Sequence, residues 1–270
     1  MKADLHVHSH FSDGTSSPEE LLALALKHQL TDLAVVDHDT LAGIEQLQKI
    51  FAPTAVNFIA GIEMSAFDFK RQRKVHILGY QLTNPDFVNQ LCEPLLQART
   101  QNTLLQLEKI QQAGFDITEK QVRTSAKNAT ALYKQHIMAA LIESGDESEI
   151  YGALYQVLFK NQGVAHFDIP YIDVYDAVEA INLGGGKAVV AHPGQLDSFE
   201  LITELVSSGI VGIEKYHPDH TLVDQNKVQA LLDAYQLQCF GGSDYHGGFG
   251  PDFLGKSGLT KVNEFPRILR

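Results

Sequence analysis

Only two cysteines, Cys92 and Cys239, occur in 270 residues, and they stand far apart with no Cys-x-x-Cys pair. That scarcity argues against a thiolate zinc site and a disulfide framework, and it fits a reducing compartment. No apolar run approaches the roughly 20 residues of a membrane span. The opening "MKADLHVHSHF" lacks the apolar stretch of a secretion signal. A cytoplasmic protein without membrane contact is the expectation. Positive charge is also short, with 21 Lys and Arg against 33 Asp and Glu, a formal net charge of −12. Such a chain has no general attraction for a phosphate backbone, so stable duplex nucleic-acid binding is not expected. Several divalent cations gathered in one cleft would reverse that sign locally. Internal repeats and low-complexity tracts are absent.

What is present is a series of about seven short apolar runs of the kind buried parallel strands show. They are "ADLHVHSH", "LAVVDHD" at 33–39, "VNFIAGIE" at 56–63, "KVHILGY" at 74–80, "KAVVAHPG" at 187–194, "GIVGIEKYHP" at 209–218 and "LQCFGGSDYH" at 237–246. Amphipathic stretches separate most of them. "SPEELLALALKHQL" offers Ser17 as N-cap and Pro18 at the first helical position, and "TLAGIEQLQKI" predicts a helix opening at Thr40. "IDVYDAVEAINLGGG" and "SFELITELVSSG" end in glycines that suit helix stops. The alternation predicts a βα barrel or a doubly wound sheet. From about Asp86 to Gln162 only helical patterning is found, which predicts a helical insertion over one end of the barrel. The expected division is 1–85 for the first part of the barrel, 86–165 for the insertion and 166–270 for the second part.

Each run ends in histidine or a carboxylate, at the end where parallel βα folds build their sites. The collected set is His6, His8, Asp13, His38, Glu63, His76, His192, Glu214, His217, Asp244 and His246. His6 and His8 are two positions apart, so on a strand both face the same way, and Asp244 and His246 repeat that spacing. A lone histidine is ordinarily a satisfied surface or core residue, and Glu63 alone would pass for a salt-bridge partner. Independent structural reasons for the whole set are improbable in a chain with 12 histidines. Nitrogen and oxygen ligands without sulfur suit Zn, Mn, Fe or Co rather than copper(I) or an iron–sulfur cluster. The candidates exceed the three or four ligands of one zinc ion and fit two or three ions sharing carboxylates, about 3.5–4 Å apart.

The stretches "DLHVHSHFSDG", "VVDHDT", "GIEMS", "VHILGY", "AHPG" and "GSDYH", in this order, resemble the PHP (polymerase and histidinol phosphatase) superfamily of metal-dependent phosphoesterases. That resemblance implies a distorted (β/α)7 barrel with a trinuclear site of manganese, iron or zinc. It implies one ion on His6, His8, Glu63 and Asp244, a second on Glu63, His76 and His192, and a third on Asp13, His38 and His246. Asp37 and Asp39, flanking His38, would orient ligands. The wording "VDHDTLAG" is most similar to a stand-alone branch with a helical insertion, whose members act on nucleoside 3′,5′-bisphosphates and short 5′-phosphorylated RNA. That branch usually carries arginine two residues before the histidine of "YKQHIM", where this chain has Lys134 before His136, and lysine meets phosphate as a point charge rather than a fork.

The implied activity is hydrolysis of phosphate esters of nucleotides by metal-activated hydroxide. Asp13, His217 and His246 are the candidate catalytic residues, with His217 protonating the leaving group. Arg99, Lys134, His136 and His217 are the candidate substrate contacts; Lys215 is expected to be solvated. A histidinol-phosphate phosphatase is an alternative, as is a non-catalytic module that holds phosphorylated ligands. An amidohydrolase-type C–N hydrolase also opens with His-x-His, but it bridges its ions with a modified lysine where this chain has Glu63.

Overall fold

Ala3–Val7 (β1) is buried at every position, because it runs through the middle of the molecule with side chains packed on both of its faces. In the computed structural model, which describes residues 2–250, 254–261 and 264–269, β1 begins a sheet with Asp32–Val35 (β2), Asn57–Asp68 (β3), Arg73–Tyr80 (β4), Lys187–Val190 (β6), Gly212–Tyr216 (β7) and Gln238–Gly241 (β8). The strands lie in the order β1-β2-β3-β4-β6-β7-β8, and a two-residue strand, Ile172–Asp173 (β5), pairs with β3 off this path. The sheet curls into a nearly closed barrel of seven strands, the expected distorted (β/α)7 class.

One strand departs from the parallel pattern. β4 runs antiparallel to both β3 and β6. Only residues 69–72 join β3 to β4, and a parallel crossover needs a dozen residues or more. The hairpin is therefore forced by the length of the link.

Pro18–Lys27 (α1) starts at Ser17 with the expected cap, its hydroxyl accepting from Glu20 N–H while Glu20 bonds back to Ser17. Ile44–Phe51 (α2) begins four residues later than Thr40, whose hydroxyl accepts from Ala42 N–H in a turn before the helix. Val174–Leu183 (α7), Phe199–Ser208 (α8) and Leu222–Tyr235 (α9) cover the second half of the barrel. Between β4 and β5 the chain is helical: Asp86–Gln112 (α3), Glu119–Ala126 (α4), Lys134–Ser144 (α5) and Ala153–Phe159 (α6). The start of α3 packs Val88, Cys92 and Leu95 into the core beneath α7. Its far end places Leu107 and Ile110 in a separate cluster with Ile137, Leu141, Leu158 and Phe159.

The lower barrel is filled by Leu5, Ala34, Ile59, Leu78, Tyr80, Val189 and Phe240. Tyr80 stacks on Phe240 and donates its hydroxyl to the Leu5 carbonyl at 2.7 Å. The seam between β8 and β1 closes differently from the other pairs. Asp4 accepts from Ser243 N–H at 2.9 Å, Ser243 Oγ–H at 2.6 Å and Gly255 N–H at 2.6 Å. Beside it a Cβ on Gly242 would lie 2.3 Å from the Cβ of His6, so only glycine allows the approach. Asp4→Ala removes the acceptor from these three donors and from His6 N–H in a closed seam and is expected to cost about 2–4 kcal/mol. Urea denaturation checks this by a lower midpoint at unchanged slope, with Asp4→Asn recovering part of the loss.

Candidate metal centre

Strand register assembles the polar cluster above this plug. His6 lies within β1 and His8 one residue past its end, both fully buried. His38 follows β2 and bridges to Glu63 in the middle of β3. His192 follows β6, and Asp244 and His246 follow β8. His76 comes from the first half of β4, paired with Ser65 of β3. Because β4 runs the opposite way, its beginning lies at the mouth of the barrel, which corrects the expectation that every ligand sits at the end of its strand.

Glu63 is the common neighbour. Its Oε2 lies 3.1 Å from His6 Nε2, 3.0 Å from His8 Nε2 and 3.4 Å from His38 Nδ1. Its Oε1 lies 2.8 Å from His76 Nδ1 and 2.9 Å from His192 Nε2. Asp244 Oδ1 stands 3.3 Å from His6 Nε2 and 3.2 Å from His8 Nε2. Asp13 Oδ1 stands 3.4 Å from His246 Nε2. The potential ligand atoms of His6, His8, Glu63 and Asp244 lie within 4.8 Å of one another, as do those of His8, Asp13, His38 and His246. His76 groups with Glu63 and His38; His192 groups with His6 and Glu214 and again with His217 and Asp244. All nine expected ligands therefore meet at one mouth, but the second set is grouped differently from the expectation: His38 stands with Glu63 and His76 where His192 was expected.

A surrounding layer fixes these rings. Glu214 accepts from His192 N–H at 2.9 Å and pairs with His6 Nδ1 at 3.1 Å, which turns His6 Nε2 toward Glu63. Asp37 accepts from Ser9 N–H and from the hydroxyls of Ser9 and Ser12. Asp39 accepts from Ser65 N–H at 2.7 Å. Asp39, His192 and Asp244 hold φ values of 58°, 21° and 51°, a left-handed conformation that is costly outside glycine and concentrates at sites where the surroundings enforce it.

The candidate substrate contacts divide. Arg99 donates to Asp39 at 2.6 Å and Ser65 at 2.8 Å, and its guanidinium lies 4.8 Å from the centre of the Tyr133 ring. His136 accepts the Tyr133 N–H through Nδ1, so it caps α5, and burial pulls its pKa down to about 4. Lys134 makes no hydrogen bond or ion pair among the described residues, and its ammonium lies 5.8 Å from the centre of the Tyr155 ring. His217 Nδ1 accepts from Asp219 N–H, which leaves Nε2 to carry the proton 3.3 Å from Asp244 Oδ2. Lys215 bonds to Gln229 at 2.7 Å rather than standing in solvent. Sequence reasoning passed over Gln135, whose amide donates to Asp13 Oδ2 at 2.9 Å and to the Tyr151 hydroxyl at 3.1 Å. Its place between Lys134 and His136 at a helix start was the available signal.

Burial disfavours charge on every group here; the mutual charges overcome it for His6, His8, Glu63 and Asp244 but not for His38 and His192. The carboxylates of Asp244 and Glu63, 3.2 and 3.0 Å from Nε2, push the His8 pKa up to about 10, and Glu214 and Glu63 raise that of His6. The neighbouring imidazoles hold Glu63 and Asp244 well below the ordinary carboxylate range. His38 is pulled down to about 4 by burial. His8 Nε2, Asp13 Oδ1 and His38 Nδ1 are buried without a hydrogen-bond partner. Imidazole nitrogens and ionised carboxylates that converge in this way suit divalent cations, which would displace the protons that the raised histidines carry.

The PHP domain family matches residues 4–182. The chain is 44% identical to the phosphoribosyl 1,2-cyclic phosphate 1,2-diphosphodiesterase of Eggerthella lenta, over 93% of this chain and 96% of that protein. It is 28% identical to the 5′-3′ exoribonuclease Rnm of Escherichia coli over 90% of this chain and 84% of that one. It is also 28% identical to the 3′,5′-nucleoside bisphosphate phosphatase of Chromobacterium violaceum, over 90% and 86%. A solved structure from Bifidobacterium adolescentis, described as a metal-dependent phosphoesterase, superposes with a TM-score of 0.90 at 26% identity, covering 97% of this chain and 93% of that one.

Cations and protons compete for the same nitrogens. A histidine pKa raised to about 10 means that protons still occupy that site at neutral pH, so manganese binding should release them, and its apparent affinity should climb with pH until His8 deprotonates. Calorimetry at pH 7 in buffers of different ionisation enthalpy should show release of roughly one to two protons. A binding heat independent of buffer would contradict this.

Proposed function

This chain belongs to the PHP domain family and is a metal-dependent phosphoesterase, and from that premise we propose that its substrate is a ribose phosphate ester carrying a second phosphate. Phosphoribosyl 1,2-cyclic phosphate and a nucleoside 3′,5′-bisphosphate both meet that description, and they are the substrates named for two of its relatives. The observation that carries the reading is Lys134. Its side chain is part-buried and forms no ion pair among the described residues, and burial followed by the charges of Lys74 and Arg99 lowers its pKa to about 8, against the smaller effects of Asp168 and Asp13. A phosphate supplies the missing counter-charge.

In this reading His6, His8, Glu63, Asp244, His76, His192, Asp13, His38 and His246 hold two or three ions of manganese, iron or zinc. Such ions neutralise phosphoryl oxygens and make water a nucleophile near neutral pH. The chain's own groups do the rest. Glu214 holds His6 in the ring orientation that faces Glu63. Gln135 keeps Asp13 turned toward His246. His217, whose Nδ1 accepts from Asp219 N–H, presents its Nε2–H beside Asp244, where it can donate a hydrogen bond to a phosphoryl or leaving-group oxygen. Arg99 acts through Asp39 and Ser65 rather than on the substrate, and His136 can offer only its Nε2–H.

The amidohydrolase alternative is disfavoured because the group shared by five imidazoles is a glutamate. Histidinol phosphate lacks a second phosphate and should be a poor substrate. Under manganese, turnover followed by phosphorus NMR should favour adenosine 3′,5′-bisphosphate or phosphoribosyl 1,2-cyclic phosphate over 3′-AMP and histidinol phosphate by about tenfold or more in kcat/KM. Asp13→Ala and His246→Ala should each lower kcat by about a hundredfold or more. Equal turnover of all four esters, or a preference for histidinol phosphate, would overturn the substrate reading.

A further inference from the structure

Lys74 stands two residues before His76 on β4, so the two side chains leave the strand on one face. Leu78 and Tyr80 continue that alternation into the barrel interior. Since β4 runs against its neighbours, Lys74 lies beyond His76 toward the mouth. Its ammonium bonds to Asp168 Oδ1 at 2.6 Å and lies 5.0 Å from the centre of the Tyr171 ring. Tyr171 in turn stacks on Phe67, the residue paired with Lys74 across the hairpin. Lys134 opens α5 next to Tyr133, whose ring lies 4.8 Å from the Arg99 guanidinium, and the charges of Lys74 and Arg99 disfavour its own.

Three cations thus gather beside the cluster in a chain of net charge −12. Asp39 occupies Arg99, Lys134 forms no ion pair with a carboxylate among the described residues, and the Asp168 side chain that holds Lys74 is 52% exposed. A half-exposed lysine–aspartate pair is weak and readily exchanged for a more highly charged anion. We propose that Lys74 leaves Asp168 to join Lys134 in clamping the second, non-reacting phosphate of the substrate, and that Lys74 is therefore a specificity-determining residue. The inference deepens the substrate reading above and rests on it.

The test compares kcat/KM for adenosine 3′,5′-bisphosphate with that for 3′-AMP in the manganese-loaded wild type and in the K74M, K74R and D168N variants, with metal content measured for each. K74M should lower the bisphosphate preference by about tenfold or more, chiefly through KM, and K74R should restore most of it. D168N breaks the same tether but keeps the cation, so its preference should stay within about twofold of wild type. A K74M protein that keeps the wild-type preference overturns the inference. So does a D168N protein that loses as much as K74M, since Lys74 would then act only by anchoring the segment around Asp168. Loss of metal in K74M would place Lys74 in support of His76 and overturn it equally. A wild type with no bisphosphate preference would defeat the substrate reading itself, and the inference with it.

Discussion

A carboxylate 1% exposed, with five imidazole rings against its two oxygens, is the constraint around which this molecule is built. Burying Glu63 as an ion without compensation would be strongly unfavourable. Compensation requires His6 and His8 from β1, His38 from the end of β2, His76 from β4 and His192 from beyond β6, all at one height. Register does this. β3 is twelve residues long, so it can pair with β2 below Glu63 and with β4 around and above it. The short link to β4 turns that strand round and brings His76 to the mouth. The Asp4 seam fixes β1 beside β8, so that His6 and His8 meet Asp244.

The helical segment completes what the barrel leaves open. Gln135 and Tyr151 approach Asp13, the Tyr133 hydroxyl donates to the His38 carbonyl at 3.1 Å, and Thr130 N–H donates to the Phe11 carbonyl at 2.9 Å. These contacts tie α3–α6 to the loops that carry Asp13 and His38, so the mouth is built from both parts. They also explain how an acidic chain can serve anionic esters. Three of its sparse cations, Lys74, Arg99 and Lys134, stand beside the site, and the cluster itself suits ions of positive charge.

Much of this was legible because strand chemistry leaves a period in the sequence. His6 with His8, and Asp244 with His246, declare a shared face by their spacing, and glycine stops such as Gly209, at φ 97°, mark where helices end. The direction of β4 was not legible in "KVHILGY", which reads alike either way; only the four residues before it constrained the answer. The late start of α2 was hidden because Thr40 can cap a helix or close a turn, and here it does the second. Contacts within the insertion were the least accessible. Helical periodicity says which face of α5 is buried, but not that Gln135 meets Asp13 or that Arg99 spends its hydrogen bonds on Asp39.

The most direct measurement is anomalous diffraction from crystals of the protein saturated with manganese. The account predicts two or three peaks at the mouth of the barrel, at least two of them within bonding distance of the Glu63 carboxylate. A well-ordered Glu63 with no peak beside it, or ions bound elsewhere on the chain, would contradict it.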